Sequence, residues 1–271
     1  MWASTRTSAA ALDDADELAG LRARYNLSPG VIHLDGNSGG AQPSSTPARL
    51  RQFIEHRWER GPVRTRARED WRTQARMAAA ELAPLIGADA NEVTVAESTS
   101  MNLFNALLVA ARLRPDRPIL AVGKDCFASD HYLARSAADF TGRELRLLTG
   151  SEDLERALAE GAAVVALAHT DTASGEVRDA PAFDAEIHRH GALALWDLSN
   201  SAGALRVDLH DWDADFAVGC GYKFLGGGSG APAYTYIAQR HLDRLRASGD
   251  APVGTLAERG FTGSPSEFSM S

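Results

Sequence analysis

The sequence predicts an α/β domain built on a mixed, mainly parallel sheet with helices on both faces. Three observations predict it. Short apolar runs recur at residues 92–95, 119–122, 164–168, 192–196, 216–219 and 233–237, and several are apolar at every position, the pattern of strands buried on both faces. Helical stretches separate many of them, as where Phe104, Leu107, Leu108 and Ala111 follow one another at i, i+3, i+4, i+7. Strands alternating with helices make a sheet covered on both sides. The 271 residues, 44% hydrophobic and 24% charged, suffice for one large core or two modest ones.

In chain order, residues 13–24 carry charges with Leu12, Leu18 and Leu21 interspersed and suggest a short helix. Val31, Ile32, His33 and Leu34 suggest a short strand, and Asp35-Gly36-Asn37-Ser38-Gly39-Gly40-Ala41 reads as a glycine-rich turn after it. Residues 47–83 read as helical, broken into two helices at Gly61-Pro62. Their arginines, Arg57, Arg60, Arg64, Arg66, Arg68 and Arg72, alternate with Glu55, Glu59, Glu69 and Asp70, as on a solvated helix face with i,i+4 pairs. An arginine here is a lesser candidate to hold a phosphate or a substrate carboxylate.

After the 92–95 strand, Ser98-Thr99-Ser100 opens a helix. Hydroxyl residues there act as N-caps. A helix N-terminus is also a prepared anion site, because its first N–H groups are free and the positive dipole end faces out. The 119–122 strand precedes Cys126-Phe127-Ala128-Ser129-Asp130-His131-Tyr132, and the 164–168 strand precedes His169-Thr170-Asp171-Thr172-Ala173-Ser174-Gly175. A helix over 181–190 leads to the strand that ends at Asp197. The 216–219 run leads to Tyr222, Lys223 and a cluster at Gly226, Gly227, Gly228 and Gly230. A last strand at 233–237 and a helix at 239–247 follow. There is no internal repeat and no low-complexity segment.

Composition narrows the function. A net charge of −8 argues against a nucleic-acid partner. Cys126 and Cys220 lie far apart and match no zinc spacing, so no metal site is expected. Both sit beside apolar runs and read as buried thiols of a reducing, cytoplasmic compartment. No apolar run reaches membrane-spanning length, and the first dozen residues have no signal-peptide core.

Taken singly, Asp197 reads as a loop cap and Lys223 as a solvated lysine. Taken together they are a carboxylate at the end of one strand and a lysine just past the next, able to converge on one crevice of an open α/β sheet. Pyridoxal phosphate uses that pair: the amine forms a Schiff base with the aldehyde, and the carboxylate keeps the pyridine nitrogen protonated.

The pieces Trp196-Asp197-Leu198, Ser201-Ala202-Gly203-Ala204, Asp208-Leu209-His210, Asp215-Phe216-Ala217, Gly219-Cys220 and Tyr222-Lys223 resemble the segment around the cofactor lysine in kynureninases. These are class V members of the fold-type-I pyridoxal-phosphate enzymes. The 35–41 turn resembles the N-terminal motif of the same family, at the active-site entrance, with Gly39 where a larger apolar residue is usual. Asn200 stands where the family usually has histidine, and an amide cannot titrate near neutral pH. Ala168 stands where a hydroxyl residue is usual.

The resemblance implies a division of the chain into an N-terminal segment (1–45), a cofactor-binding large domain (46–250) and the truncated start of a small domain, or a tail (251–271). It implies that Ser98 and Thr99 grip the cofactor phosphate, that Phe127 stacks on the ring, and that Ser129, Asp130 and Asn200 lie beside it. Asp197 would hold the ring nitrogen, Lys223 would carry the cofactor and move the α-proton, and Tyr222 would supply a proton to Cβ. The implied reaction is hydrolysis of the Cβ–Cγ bond of kynurenine or 3-hydroxykynurenine, giving an anthranilate and alanine, in a homodimer acting on a small amino-acid substrate. The family's small-domain arginine, which clamps the substrate carboxylate, has no match here, so this chain is expected to be inactive, or nearly so, on kynurenine even if it binds the cofactor. The alternatives are another class V activity, such as an aminotransferase or a cysteine-lyase-like enzyme, or an inactive cofactor-binding remnant.

Overall fold

The computed structural model describes residues 5–55 and 65–247. Its centre is a seven-stranded sheet made of β1 (Val93–Val95), β2 (Ile119–Gly123), β3 (Glu144–Leu148), β4 (Ala162–Ala168), β5 (Leu193–Asp197), β6 (Phe216–Gly219) and β7 (Tyr234–Ile237). The order across the sheet is β1-β7-β6-β5-β4-β2-β3. The pairs β3/β2, β2/β4, β4/β5 and β5/β6 are parallel, while β7 runs antiparallel to β6 and β1. The sheet is therefore mixed and mainly parallel, as expected.

The helices are α1 (Arg6–Asp14), α2 (Thr46–Phe53), α3 (Thr65–Leu82), α4 (Thr99–Leu113), α5 (Ala128–Thr141), α6 (Ser151–Ala159), α7 (Ala180–Arg189) and α8 (Gln239–Ala247). Alternate strand residues face opposite layers. On one face Ala194, Trp196 and Ala217 pack with Leu82, Leu158 and Ile187, from α3, α6 and α7. On the other Leu193, Leu195, Phe216 and Val218 pack with residues of α4, α5 and α8. The connections from β2 to β3 and from β3 to β4 thus run over opposite faces, α5 on one and α6 on the other. That reversal opens a crevice at the carboxyl ends of β2 and β4, the position where open α/β sheets bind ligands.

Helix α4 carries its expected stripe: Leu107 and Ala111 are fully buried, and Phe104 and Leu108 pack against the same layer. Three elements the sequence reading did not assign, α5, β3 and α6, complete the domain. Edge strand β3 alternates weakly and pairs its charges outside, Arg146 with Glu144 and Glu160. Both cysteines are free and buried. Among the described residues no helix is long and apolar enough to cross a membrane.

The N-terminal expectations need two corrections. The helix expected over 13–24 is α1 followed by a 3-10 turn at Ala19–Arg24. Thr5 and Ser8 form a capping box that starts α1 early, and Asp16 accepts the Leu18 N–H, which favours a turn over helix. The strand expected at 31–34 is not a strand. Val31 N–H closes a turn onto Ser28 O, no strand among the described residues pairs with 31–34, and Ile32 and Leu34 are 80% and 88% exposed. The Gly61-Pro62 break and the arginines from Arg57 to Arg72 fall outside the described side chains, as do residues 251–271.

At the sheet end away from the crevice, Asp215 accepts hydrogen bonds from Ala194 N–H, His188 Nε2, His241 Nε2 and Arg240 Nη2 at 2.6–2.8 Å. Burial alone would raise this carboxyl. The hydrogen bonds from His188 and His241 outweigh that and hold it well below the usual range. Asp184, fully buried on α7, has a weaker set. Trp196 Nε1–H donates to it at 2.9 Å, and burial pushes its carboxyl up to about 7 against that bond.

The sign of the Asp184 effect follows from which state holds the proton. The folded state binds it more tightly than the unfolded chain, so this residue's contribution to stability falls as pH rises from about 4 to about 7 and is constant above that. Asp184→Asn keeps an acceptor for Trp196 and cannot ionise. The variant is expected to gain on the parent by a few kcal/mol across this interval, at about 1.4 kcal/mol per pKa unit. Urea midpoints measured at pH 4, 5.5 and 7.5 check it; a gap that does not widen with pH refutes the buried neutral carboxyl.

Candidate active site

The site gathers at the carboxyl edge of the sheet, where four connections end. The first is the turn from β1 into α4. Ala233 N–H donates to Glu97 O at 2.9 Å, Glu97 turns the chain in the left-handed region (φ 56°), and Ser98 is extended. Ser98 Oγ caps α4 by accepting the Met101 N–H at 3.2 Å. Asn102 Nδ2 braces the turn from below by donating to Ala96 O at 3.0 Å. The cap uses one N–H and leaves other first-turn donors of the helix unbonded, with Ser98 and Thr99 beside them, the general chemistry that suits an anion.

The second connection follows β2. Phe127 stands at the N-cap of α5, 63% exposed. An aromatic ring left open at a sheet's ligand-binding edge is available as a stacking surface. Ser129 Oγ donates to Asp130 Oδ1 at 3.2 Å. His131 braces the connection: its Nε2 lies 2.9 Å from Gly123 O. Arg178 joins this connection to the one after β4, pairing with Asp125 and donating to Ala168 O. That brace was missed in the sequence, where a lone arginine in a loop carries no signal.

The third and fourth connections carry the expected pair. Asp197 ends β5, and its Oδ1 accepts the Ser199 N–H at 2.8 Å. Burial raises its carboxyl, opposed by Ser199 and by the nearby positive charge of Lys223. Asp130 and Asp197 border one small cavity, walled by Leu103, Leu107, Val122 and Cys126. Burial and then Asp197 push the Asp130 carboxyl up to about 6.

Lys223 follows β6 and is half-buried; its Nζ donates to Asn200 Oδ1 at 2.9 Å and lies 6.0 Å from the centre of the Tyr222 ring. Burial, then Cys220 and Asp197, raise the Tyr222 phenol, so it stays a proton donor. The structure thus places every expected site residue at this edge. What the sequence did not reveal is the backbone part: the Ser199 N–H on Asp197 and the left-handed Glu97.

These groups fit pyridoxal phosphate by their chemistry: outward helix N–H groups for a phosphate, an open aromatic face, a carboxylate for a ring nitrogen and a primary amine for an aldehyde.

Comparisons with known proteins agree. The chain is 45% identical over 240 residues to the kynureninase of Deinococcus radiodurans, covering 86% of this chain and 58% of that one. It is 41% identical over 246 residues to the kynureninase of Pseudomonas fluorescens, covering 89% and 59%. The chain therefore spans somewhat under two thirds of the length of these curated relatives. Among solved structures, a cysteine desulfurase from Thermococcus onnurineus NA1 superposes with a TM-score of 0.68 at 22% identity, over 83% of this chain and 58% of that one. A C-DES mutant with glycine covalently linked to its PLP cofactor superposes at 0.69 and 18%, over 82% and 60%; at these identities the likeness speaks for the fold alone. The aminotransferase class-V pattern matches residues 32–269, and the chain belongs to that family.

Proposed function

We propose that this chain is the large domain of a pyridoxal-phosphate-dependent hydrolase that cleaves the Cβ–Cγ bond of kynurenine or 3-hydroxykynurenine. The observation that carries this reading is the Lys223 amine, held on Asn200 at the same sheet edge as Asp197, in a chain whose 41–45% identical relatives are kynureninases.

In this reading the N-terminus of α4, with Ser98 and Thr99, would hold the phosphate, Phe127 would offer a stacking face, and Ser129 and Asp130 would lie near the ring. Asp197 would pair with the ring nitrogen and keep a proton on it. When bound, the cofactor supplies an electron sink for the substrate's α-carbon. Lys223 would hold the cofactor's aldehyde through its amine, take the α-proton as a base and return it to Cα once Cβ is protonated. Water adds to the side-chain ketone, the Cβ–Cγ bond breaks with its electrons going to Cβ, and Tyr222 delivers a proton to Cβ. The products are alanine and an anthranilate, so atoms and charge balance without an oxidant. A homodimer in the cytoplasm accords with this reading, the latter supported by two buried free thiols.

The test is incubation of purified protein and pyridoxal phosphate with L-kynurenine, with no keto acid added, followed by assay of anthranilate and alanine in equal amounts. Amino-group transfer that requires a keto acid instead would replace hydrolysis with a transaminase assignment.

A further inference from the structure

The turn that carries Lys223 is closed on itself: Gly226 N–H donates to Lys223 O and Gly227 N–H to Gly221 O, each at 2.9 Å. A second segment grips it from outside. Gly40 N–H donates to Tyr222 O at 3.0 Å. A Cβ at Gly40 would overlap the Lys223 carbonyl oxygen and lie 2.9 Å from Gly226 Cα. A Cβ at Gly36 would lie 2.7 Å from the Phe224 ring. Gly39, between them, would meet nothing within 4 Å. Glycine is thus required at 40 by close approach to backbone, not by turn geometry, whereas at 36 the Phe224 ring would have to turn aside.

The segment behind this contact is mostly exposed. It is tied to itself by Asn26 N–H to Gln42 O and Ser44 N–H to Arg24 O, both 2.8 Å. Its seat on the sheet domain described here is the lysine turn.

The geometry points to Gly40 as a positioning residue that couples the N-terminal segment to the state of Lys223. Resting on the reading that Lys223 holds the cofactor, the coupling runs both ways. A lysine held covalently at its Nζ fixes residues 221–227 and so the seat of the segment; a seated segment holds Lys223 for capture and tightens cofactor binding by the same factor. The role is one of orientation, exerted through the backbone of residues 222–226.

Trypsin cleavage after Arg22 and Arg24, followed by mass spectrometry with and without pyridoxal phosphate, tests it on the parent, Gly40→Ala and Gly39→Ala. Borohydride reduction of the same samples reports whether Lys223 is loaded. Cofactor is expected to slow this cleavage roughly tenfold in the parent and in Gly39→Ala, a mid-range coupling. Gly40→Ala should be cut quickly in both states and bind cofactor about tenfold more weakly. Loaded Lys223 without protection in the parent overturns the coupling alone, and so does a Gly40→Ala variant with parental affinity and protection. Absence of label on Lys223 overturns the cofactor reading and this inference with it. Should Gly40→Ala fail to fold, judged by circular dichroism, the parent's own protection decides.

Discussion

Lys223→Ala is expected to retain the fold and to lose activity by at least roughly 10³-fold, within the range attributed to a positioned acid–base group. The side chain is half-buried on a surface turn and makes one hydrogen bond, to Asn200. The turn around it is closed by backbone bonds that alanine leaves in place. Its removal therefore costs little stability, while the covalent hold and the proton transfer proposed for it would vanish. Borohydride reduction followed by peptide mapping gives the direct readout: the parent should carry the pyridoxyl group on Lys223 and the variant should carry none. Lys124 is the other lysine in the sequence. A label there, or turnover in the variant near that of the parent, would falsify the assignment.

What could be read from the chain follows from where the information sits. Strands buried on both faces announce themselves by composition, so β4 and β5 stand out as uninterrupted apolar runs, and the Asp197–Lys223 pair is legible because it follows two such runs. β3 is different: it lies at a sheet edge with much of it open to solvent, and its pattern of Glu144, Leu145, Arg146, Leu147 and Leu148 mixes charges into the run, so only the flanking Gly142 and Gly150 mark it out. Residues 31–34 show the opposite failure. Their side chains suit a strand, but a strand is defined by a partner, and none lies beside them. The same limit applies in the site. Side-chain donors such as Lys223 are visible in sequence, whereas the Ser199 N–H on Asp197 is a property of backbone path. Gly40 lies between: the glycine is visible, and the carbonyl it makes room for, 183 positions away, is not.

Asp197→Asn tests the electronic half of the pair. The amide oxygen can still accept the Ser199 N–H now bonded to Oδ1 at 2.8 Å, so the end of β5 should keep its conformation and the cofactor should still bind. What changes is charge. Burial raises the Asp197 carboxyl, opposed first by its Ser199 hydrogen bonds and then by the Lys223 charge; in the proposed holoenzyme a protonated ring nitrogen would oppose it further, in a setting where water screens little. An amide gives that nitrogen no charge to hold its proton, so the ring draws electrons less strongly from the α-carbon. The expected loss is about 10²–10³-fold in kcat, the scale of removing one preorganised electrostatic contact. Asp130→Asn, on the same cavity, should cost less, because it removes a like charge that competes with Asp197. Turnover and cofactor content after gel filtration, measured together, separate the cases. An Asp197→Asn enzyme with cofactor bound and near-parental turnover would mean that another group holds the ring nitrogen; one that loses the cofactor outright would make Asp197 an anchor first.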